Sequence, residues 1–155
     1  MIRSWMVIGA VAIAVSFLSA LLKPKDIKWF SRLRRPKWLV FEPLIPVIWT
    51  VILICGAWSA YLVWEANPGT TQTWWLMAFY LVVELAIIAY SPVTFHLQSL
   101  KAGTIVGMIG FVLGLILIFL VYPISHTAAV LLMPYLLWSP IGSYTTWAMD
   151  QLNPS

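Results

Sequence analysis

Charged side chains are scarce in this 155-residue chain: Asp, Glu, Lys and Arg together make up 9% of it, against about 25% in soluble domains. Hydrophobic residues make up 62%. So few polar groups cannot cover a water-soluble globule, which excludes a soluble enzyme, a disordered tail and a secreted disulfide scaffold. One cysteine, Cys55, excludes an internal disulfide and leaves the redox compartment open. The class that remains is an integral membrane protein, with residues 1–155 as one domain.

Long charge-free runs predict where the chain crosses the bilayer, since about 20 apolar residues span its core. Two runs have no charge at all, and a third is interrupted only by Glu84. The run 102–149 is long enough for two spans, with a turn at 122–126. The sequence therefore predicts an all-α bundle of five transmembrane helices at about 4–22, 44–64, 74–97, 103–122 and 127–149.

The basic residues predict the orientation, because seven of the nine Lys and Arg lie between Lys23 and Lys37. By the positive-inside rule, the first loop, residues 23–43, and the C-terminus face the cytoplasm. The same charges favour contact with anionic lipid headgroups over nucleic acid, which is not expected as a partner. A cleaved signal peptide is the alternative for the first span, although the lysines that follow it favour a retained helix.

The first loop carries indole, guanidinium and proline side chains together, at Trp29, Arg34, Arg35, Pro36 and Trp38. Guanidinium groups stack on indoles or on a flat ligand. The composition predicts a lid that folds over one end of the bundle. The alternative is an interfacial segment that rests on the headgroups.

The fifth span contains Pro134 and Pro140, and each removes a backbone donor and favours a bend. Tyr135, Trp138 and Gly142 share one face of this helix. A large ring beside a glycine predicts a flat slot for a planar molecule, and Trp49 of the second span is placed to contribute to it.

Glu84 is the one carboxyl deep in a predicted span, where it costs about 3 kcal/mol or more and is expected to face the bundle interior. It is either a ligand contact or proton-linked site, or a protonated carboxyl bonded between helices. The glycines of the fourth span form one stripe that allows close helix packing, against a neighbour in the chain or a second subunit. These glycines are Gly103, Gly107, Gly110 and Gly114.

No metal site is predicted, since His96 and His126 near span ends are more typical of interfacial polar groups than of haem ligands. No acid–base pair, nucleophile–base pair or nucleotide loop is evident either. These observations favour binding over conventional catalysis.

Two motifs and the overall length resemble the translocator protein family, also known as the tryptophan-rich sensory proteins or peripheral-type benzodiazepine receptors. The loop Trp29-Phe30 … Leu33 … Arg35-Pro36-Lys37-Trp38 resembles one family motif, and 131–138, LLMPYLLW, resembles another. The resemblance implies a five-helix bundle, often a homodimer, with a cavity covered by the first loop. It implies porphyrins such as protoporphyrin IX and haem as ligands, with no cofactor required. The positions it places around the cavity are Trp29, Trp38, Trp49, Tyr135, Trp138 and Gly142.

The resulting hypothesis is a membrane-embedded tetrapyrrole-binding protein that acts in porphyrin sensing, trafficking or disposal. Trp49 and Trp138 would stack on the macrocycle, and Arg34 or Arg35 would pair with its propionates. One alternative is a light-dependent porphyrin-degrading enzyme in which Trp138 takes part. The other is a proton-linked transporter of hydrophobic ligands that uses Glu84. The family usually has an asparagine where this chain has Glu84.

Overall fold

The structure, a computed structural model, describes residues 3–17 and 24–153, and the regular secondary structure in these ranges is helical. The described residues contain no strand, and the predicted all-α class is confirmed. In chain order the helices are α1 Ser4–Ser16, α2 Pro24–Ser31, a 3-10 turn Glu42–Leu44, α3 Ile45–Ala66, α4 Thr71–His96, α5 Leu100–Val121, α6 His126–Leu131 and α7 Met133–Leu152.

Three helical segments are long and apolar enough to cross a membrane: Glu42–Ala66, Thr71–His96 and Leu100–Val121. Their outer faces are apolar, with side chains such as Phe119 and Trp75 more than two-thirds exposed. An apolar outer surface of this kind suits lipid rather than water. The predicted count of five spans is not confirmed, because Ser4–Val15 is shorter and the last predicted span is two helices.

The helices α3, α4 and α5 each lie within three residues of a predicted span at both ends. The helices α4 and α5 begin earlier than the charge-free runs indicate, since polar caps start them. The Thr70 hydroxyl accepts the Thr73 N–H, and the Ser99 hydroxyl accepts the Ala102 N–H. Such caps satisfy backbone donors that the helix itself leaves unpaired.

The predicted helix 127–149 is divided at Leu132, between α6 and α7, because Pro134 lies in the first turn of α7. Proline is favoured there and cannot donate to the turn before it. Pro140 and Pro92, by contrast, lie inside α7 and α4. The last part of the predicted helix 4–22 lies outside the described residues, and the predicted loop 23–43 contains α2.

The helix α5 packs between α4 and α7, and α3 packs against α1, α4 and α6. The glycine stripe of α5 permits α5 to pack closely against both α4 and α7. Gly103 faces Thr94, Gly107 faces Ser143, and Gly110 and Gly114 face Tyr135. The stripe therefore serves packing within the chain, and the predicted homodimer stays a prediction. The helix α1 is peripheral, with no buried residue between Ser4 and Val15.

Candidate functional site

An aromatic cluster joins the first loop to α3 and α7; it is made of Trp38, Phe41, Trp49, Tyr135 and Trp138. The Trp138 ring meets Trp49 at 6.5 Å and 88°, and meets Phe41 at 6.1 Å and 84°, between ring centroids and planes. These are edge-to-face contacts, a favoured geometry for aromatic pairs. Trp38 extends the cluster to Phe41 at 6.2 Å, and Tyr135 extends it to Trp49 at 6.4 Å.

Trp138 occupies the space beside Gly142 where the sequence predicts a slot. A methyl group added at Gly142 would lie 3.2 Å from Trp138 Nε1 and 3.4 Å from Cε2. The indole is 8% exposed, and its Nε1 has no hydrogen-bond acceptor. Gly142 therefore accommodates the Trp138 indole of the same helix. The structure brings the predicted residues Trp49, Tyr135 and Trp138 together, and the Trp49 ring contacts the other two rings.

Arg35 holds the first loop in shape. Its guanidinium donates to the carbonyls of Phe30 at 3.0 Å and Leu33 at 2.7 Å, and pairs with Glu42 at 3.2 Å. It also lies 4.8 Å over the Phe30 ring. The Arg35 N–H groups that could bind a ligand propionate are therefore already bonded to backbone carbonyls and to the Glu42 carboxylate.

The other predicted loop residues lie on the side of α2 and the C-terminus. The Arg34 N–H donates to Asn153 Oδ1 at 2.8 Å, and Asn153 Nδ2 donates to the Arg34 carbonyl at 2.9 Å. Trp29 contacts Phe95 edge-on at 6.2 Å. The Pro36 carbonyl accepts the Leu39 N–H. The contacts of Trp29 and Arg34 fasten the loop to the ends of α4 and α7, whereas the Pro36 bond lies within the loop.

A cavity of about 670 Å³ lies elsewhere, between α1, α3 and α4, with Leu117, Leu132 and Tyr135 at its inner wall. Of the ligand-binding residues predicted from the sequence, Glu84 and Tyr135 line it. Trp74 and Ile87 both line it and are 13 residues apart on α4, so it extends about 20 Å along the helix axis. Its volume falls within the range of small-molecule sites, roughly 300–1,000 Å³.

Most of the cavity wall is apolar, and its polar groups lie at two separate levels along α1 and α4. Arg3 and Ser4 lie at the end where α1 begins. The Ser4 hydroxyl donates to Glu65 Oε1. Tyr80 and Glu84 lie deeper, one turn apart on α4. An apolar body with a few placed polar groups is the usual composition of a ligand site.

A buried hydrogen-bond chain fixes the Tyr80 hydroxyl in this wall. Ser59 is fully buried, and its Oγ donates to the Ala128 carbonyl at 2.7 Å. The Ser59 and Tyr80 oxygens are 2.6 Å apart. Since the one serine proton goes to the carbonyl, Tyr80 donates to Ser59. The chain joins α3, α4 and α6 beside the cavity.

Sequence reasoning missed the α1 and α3 walls of the cavity. The signal available was the small-residue pattern Gly56, Ala57 and Ala60 of α3 opposite the small Ala12 of α1. No group of three or more His, Cys, Asp or Glu that could hold a metal occurs in the described part of the chain. His126 stacks on Tyr122, at 4.4 Å between ring centroids.

Comparison with known proteins gives a family match over residues 7–152, to the TspO/MBR family model. The chain is 26% identical to the Tryptophan-rich protein TspO of Bacillus cereus, over 97% of each chain. It is 30% identical to the Tryptophan-rich protein TspO of Chlorobaculum tepidum, over 93% of this chain and 92% of that one. It is 28% identical to Translocator protein 2 of Canis lupus familiaris, over 95% and 91%.

Proposed function

The chain belongs to the TspO/MBR family, and on that premise we propose that it is a membrane-embedded binding protein for hydrophobic, tetrapyrrole-type ligands. The observation that carries the proposal is the 670 Å³ apolar cavity lined by α1, α3 and α4, of which α3 and α4 are long and apolar enough to cross a membrane. A ligand that partitions into the bilayer can occupy such a space without exposure to water. Sensing, trafficking or disposal of porphyrins are the roles that such binding would serve.

The proposal includes five crossings, with α1 and the α6–α7 pair completing the three long helices. It also places the first loop and the C-terminus in the cytoplasm. The contacts between Arg34 and Asn153 support a common side for these two segments, and the loop carries most of the basic charge. A homodimer is proposed from the family resemblance alone.

The ligand is proposed to occupy the cavity and to reach the aromatic cluster through Tyr135, which belongs to both. The ring of Tyr135 lines the cavity and contacts Trp49, which contacts Trp138. Through these ring contacts Trp138 would affect binding, although its own indole fills the space beside Gly142. The propionates of a tetrapyrrole would then meet Arg3 at the end of the cavity rather than the engaged guanidinium of Arg35.

The test is a titration of the purified protein in nanodiscs with protoporphyrin IX, followed by tryptophan quenching. Gly56 lines the cavity and has open space where a side chain would extend, so Gly56→Phe should fill it and reduce affinity by about tenfold or more. Gly9 also has open space but does not line the cavity, and Gly9→Phe should leave affinity unchanged. Equal titrations of Gly56→Phe and the parent chain would refute binding in this cavity.

Transport is a second candidate, favoured by the position of Glu84 in the cavity wall. A carboxyl in a membrane-embedded cavity is a typical element of proton-linked pathways. Liposomes containing the protein should then show porphyrin flux that depends on a proton gradient and is lost in Glu84→Gln. Flux that is the same in this variant would leave binding as the sole function supported.

A further inference from the structure

One end of the cavity lies where three helices begin or end, away from the first loop. The helix α1 begins at Ser4, α3 ends at Ala66 and α4 begins at Thr71. Since α3 begins directly after the first loop, at Ile45, its far end lies about 30 Å from that loop, which is the thickness of the bilayer core. This end of the cavity therefore lies at the level of lipid headgroups. We call it the mouth, and the residues that line it are Arg3, Ser4, Trp64 and Trp74.

Two opposite charges stand at the mouth. Arg3 is exposed there, and the exposed Glu65 is its neighbour, because Glu65 Oε1 accepts from the Ser4 hydroxyl. Within the described ranges the ion pair is that of Arg35 with Glu42, so Arg3 and Glu65 are not paired with each other. A purely anionic head would be repelled by Glu65 and a purely cationic head by Arg3. The two charges therefore favour a head group that carries both signs.

Trp64 and Trp74 add an aromatic surface to the mouth, and we call them the mouth pair. Their ring centroids are 4.9 Å apart and their planes meet at 77°. Indole faces attract cations, and aromatic rings that face different directions form the cages that bind quaternary ammonium groups. Trp74 is 60% exposed, so part of this surface is open to a ligand. An interfacial aromatic belt explains single exposed tryptophans, but it does not require two rings in contact beside a cavity and two charges.

Behind the mouth the cavity is elongated and mostly apolar. It extends about 20 Å along α4, from Trp74 to Ile87, whereas one leaflet contributes about 15 Å to the bilayer core. The acyl chain of a lipid whose head lies at the mouth is therefore short enough to fit inside. Empty apolar cavities stay dry, and the surrounding membrane supplies hydrocarbon chains at high concentration.

We infer that the cavity takes up one acyl chain of a zwitterionic phospholipid, with the phosphate at Arg3 and the ammonium between Glu65 and the mouth pair. Guanidinium–phosphate bonds are charge-assisted and roughly twice as strong as neutral ones, and the indoles add cation–π attraction. The second acyl chain stays in the bilayer. The inference goes beyond the proposed function and does not rest on it, because a tetrapyrrole in the same cavity would have to displace this lipid.

The experiment uses trace lipids with a photoreactive diazirine near the end of one acyl chain, added to the protein in nanodiscs. Three probes have the same chains and differ in the head: phosphatidylcholine, phosphatidylglycerol and uncharged diacylglycerol. Ile52 and Val83 line the cavity and are 4% and 6% exposed, and we call them the inner positions. Ile54 and Val82 do not line it, are 61% and 48% exposed, and serve as the outer positions. Peptide fragmentation after irradiation gives the ratio of inner to outer label, in which contact with bulk lipid is the internal standard.

In the parent chain, phosphatidylcholine should give an inner-to-outer ratio about tenfold above that of diacylglycerol, and phosphatidylglycerol should fall between them. Gly56→Phe fills the cavity and should abolish the inner label, whereas Gly9→Phe should retain it. Equal ratios for the three probes in the parent chain would overturn the inference, even if a variant failed to fold. Inner label that persists in Gly56→Phe would also overturn it.

Two variants test the mouth directly. Trp74→Leu should lower the phosphatidylcholine ratio by about fivefold, whereas the adjacent Trp75→Leu, at an exposed ring that does not line the cavity, should leave it unchanged. Glu65→Gln should lower the phosphatidylcholine ratio and raise that of phosphatidylglycerol, because it removes an attraction for the ammonium and a repulsion for the anionic head. Equal effects of the two tryptophan variants, or parallel changes of both lipids in Glu65→Gln, would overturn the assigned head-group contacts.

Protoporphyrin IX is titrated on the same samples, so that this inference and the proposed function are tested separately. Phosphatidylcholine preference at the inner positions without protoporphyrin binding would refute the proposed function and leave this inference standing. Protoporphyrin binding that is lost in Gly56→Phe, without a preference among the three probes, would refute the inference alone. Inner label and protoporphyrin binding that Gly56→Phe leaves intact would refute both.

Discussion

The contact between α5 and α7 at Tyr135 can be tested atom by atom. A methyl group added at Gly110 would lie 2.5 Å from the Tyr135 hydroxyl oxygen, with the next atoms at 3.9 Å. A methyl group added at Gly114 would lie 2.7 Å and 3.0 Å from the ring carbons Cε2 and Cδ2. Overpacking costs about 1–3 kcal/mol, of which the better helix propensity of alanine returns up to about 1 kcal/mol. Each Gly→Ala change should therefore lower the free energy of unfolding by roughly 1–2 kcal/mol.

Tyr135→Phe separates the two clashes, because it removes the hydroxyl and keeps the ring. In the Phe background, Gly110→Ala should cost nothing, since its nearest remaining neighbours lie at ordinary contact distance. Gly114→Ala should cost as much as before. The comparison is a double-mutant cycle, so the effect of losing the hydroxyl on its own cancels.

Thermal unfolding in detergent, with a thiol-reactive dye, measures these changes, since the chain has one cysteine, the half-buried Cys55 of α3. A loss of 1 kcal/mol lowers Tm by about 2–4 °C in a chain of this size. Gly9→Ala, with open space around it, should not lower Tm. An equal loss for Gly110→Ala in both backgrounds would refute the assigned contact, and no loss at either glycine would refute the close approach of the helices.

Three further changes test the buried hydrogen bonds and the first loop. Ser59→Ala leaves a buried carbonyl and phenol without their partner, and should lower the free energy of unfolding by about 1–3 kcal/mol in the same dye assay. Arg35→Gln removes the ion pair and carbonyl bonds of the loop, so proteinase K should cleave the loop faster than in the exposed control Arg32→Gln. Asn153→Ala should speed hydrogen exchange at the Arg34 amide, which now donates to the Asn153 side chain; unchanged exchange would contradict that bond.

The positions of the long helices followed from the sequence because the bilayer imposes a length on charge-free runs. The division of the last helix was also readable in part, since Pro134 cannot continue a turn. The remaining detail depends on contacts between distant segments. The partners of Arg35 were not predictable either, although they are local, because nothing in the neighbouring sequence distinguishes a guanidinium that binds a ligand from one that binds carbonyls of its own loop.

Helical spacing placed Tyr135, Trp138 and Gly142 on one face, but spacing does not say whether a face is filled or vacant. In the structure the indole fills it. The cavity was not predicted, because it arises from how far α1 and α4 stand from α3. The small residues of α3 and α1 permit a space there, but they do not fix the distance between the helices.

The cluster and the cavity differ in what a ligand must displace. Entry between Trp138 and its neighbours breaks two edge-to-face contacts, each contributing about 0.5–1.5 kcal/mol, so the ligand would forfeit roughly 1–3 kcal/mol. Entry into the cavity breaks neither. Under the proposed function the cavity would therefore fill first, and the cluster would affect binding through Tyr135, whose ring lies 6.4 Å from that of Trp49. On the proposal of a ligand in the cavity, Trp138 would act by orienting one wall of it, through the contacts that join Trp138, Trp49 and Tyr135.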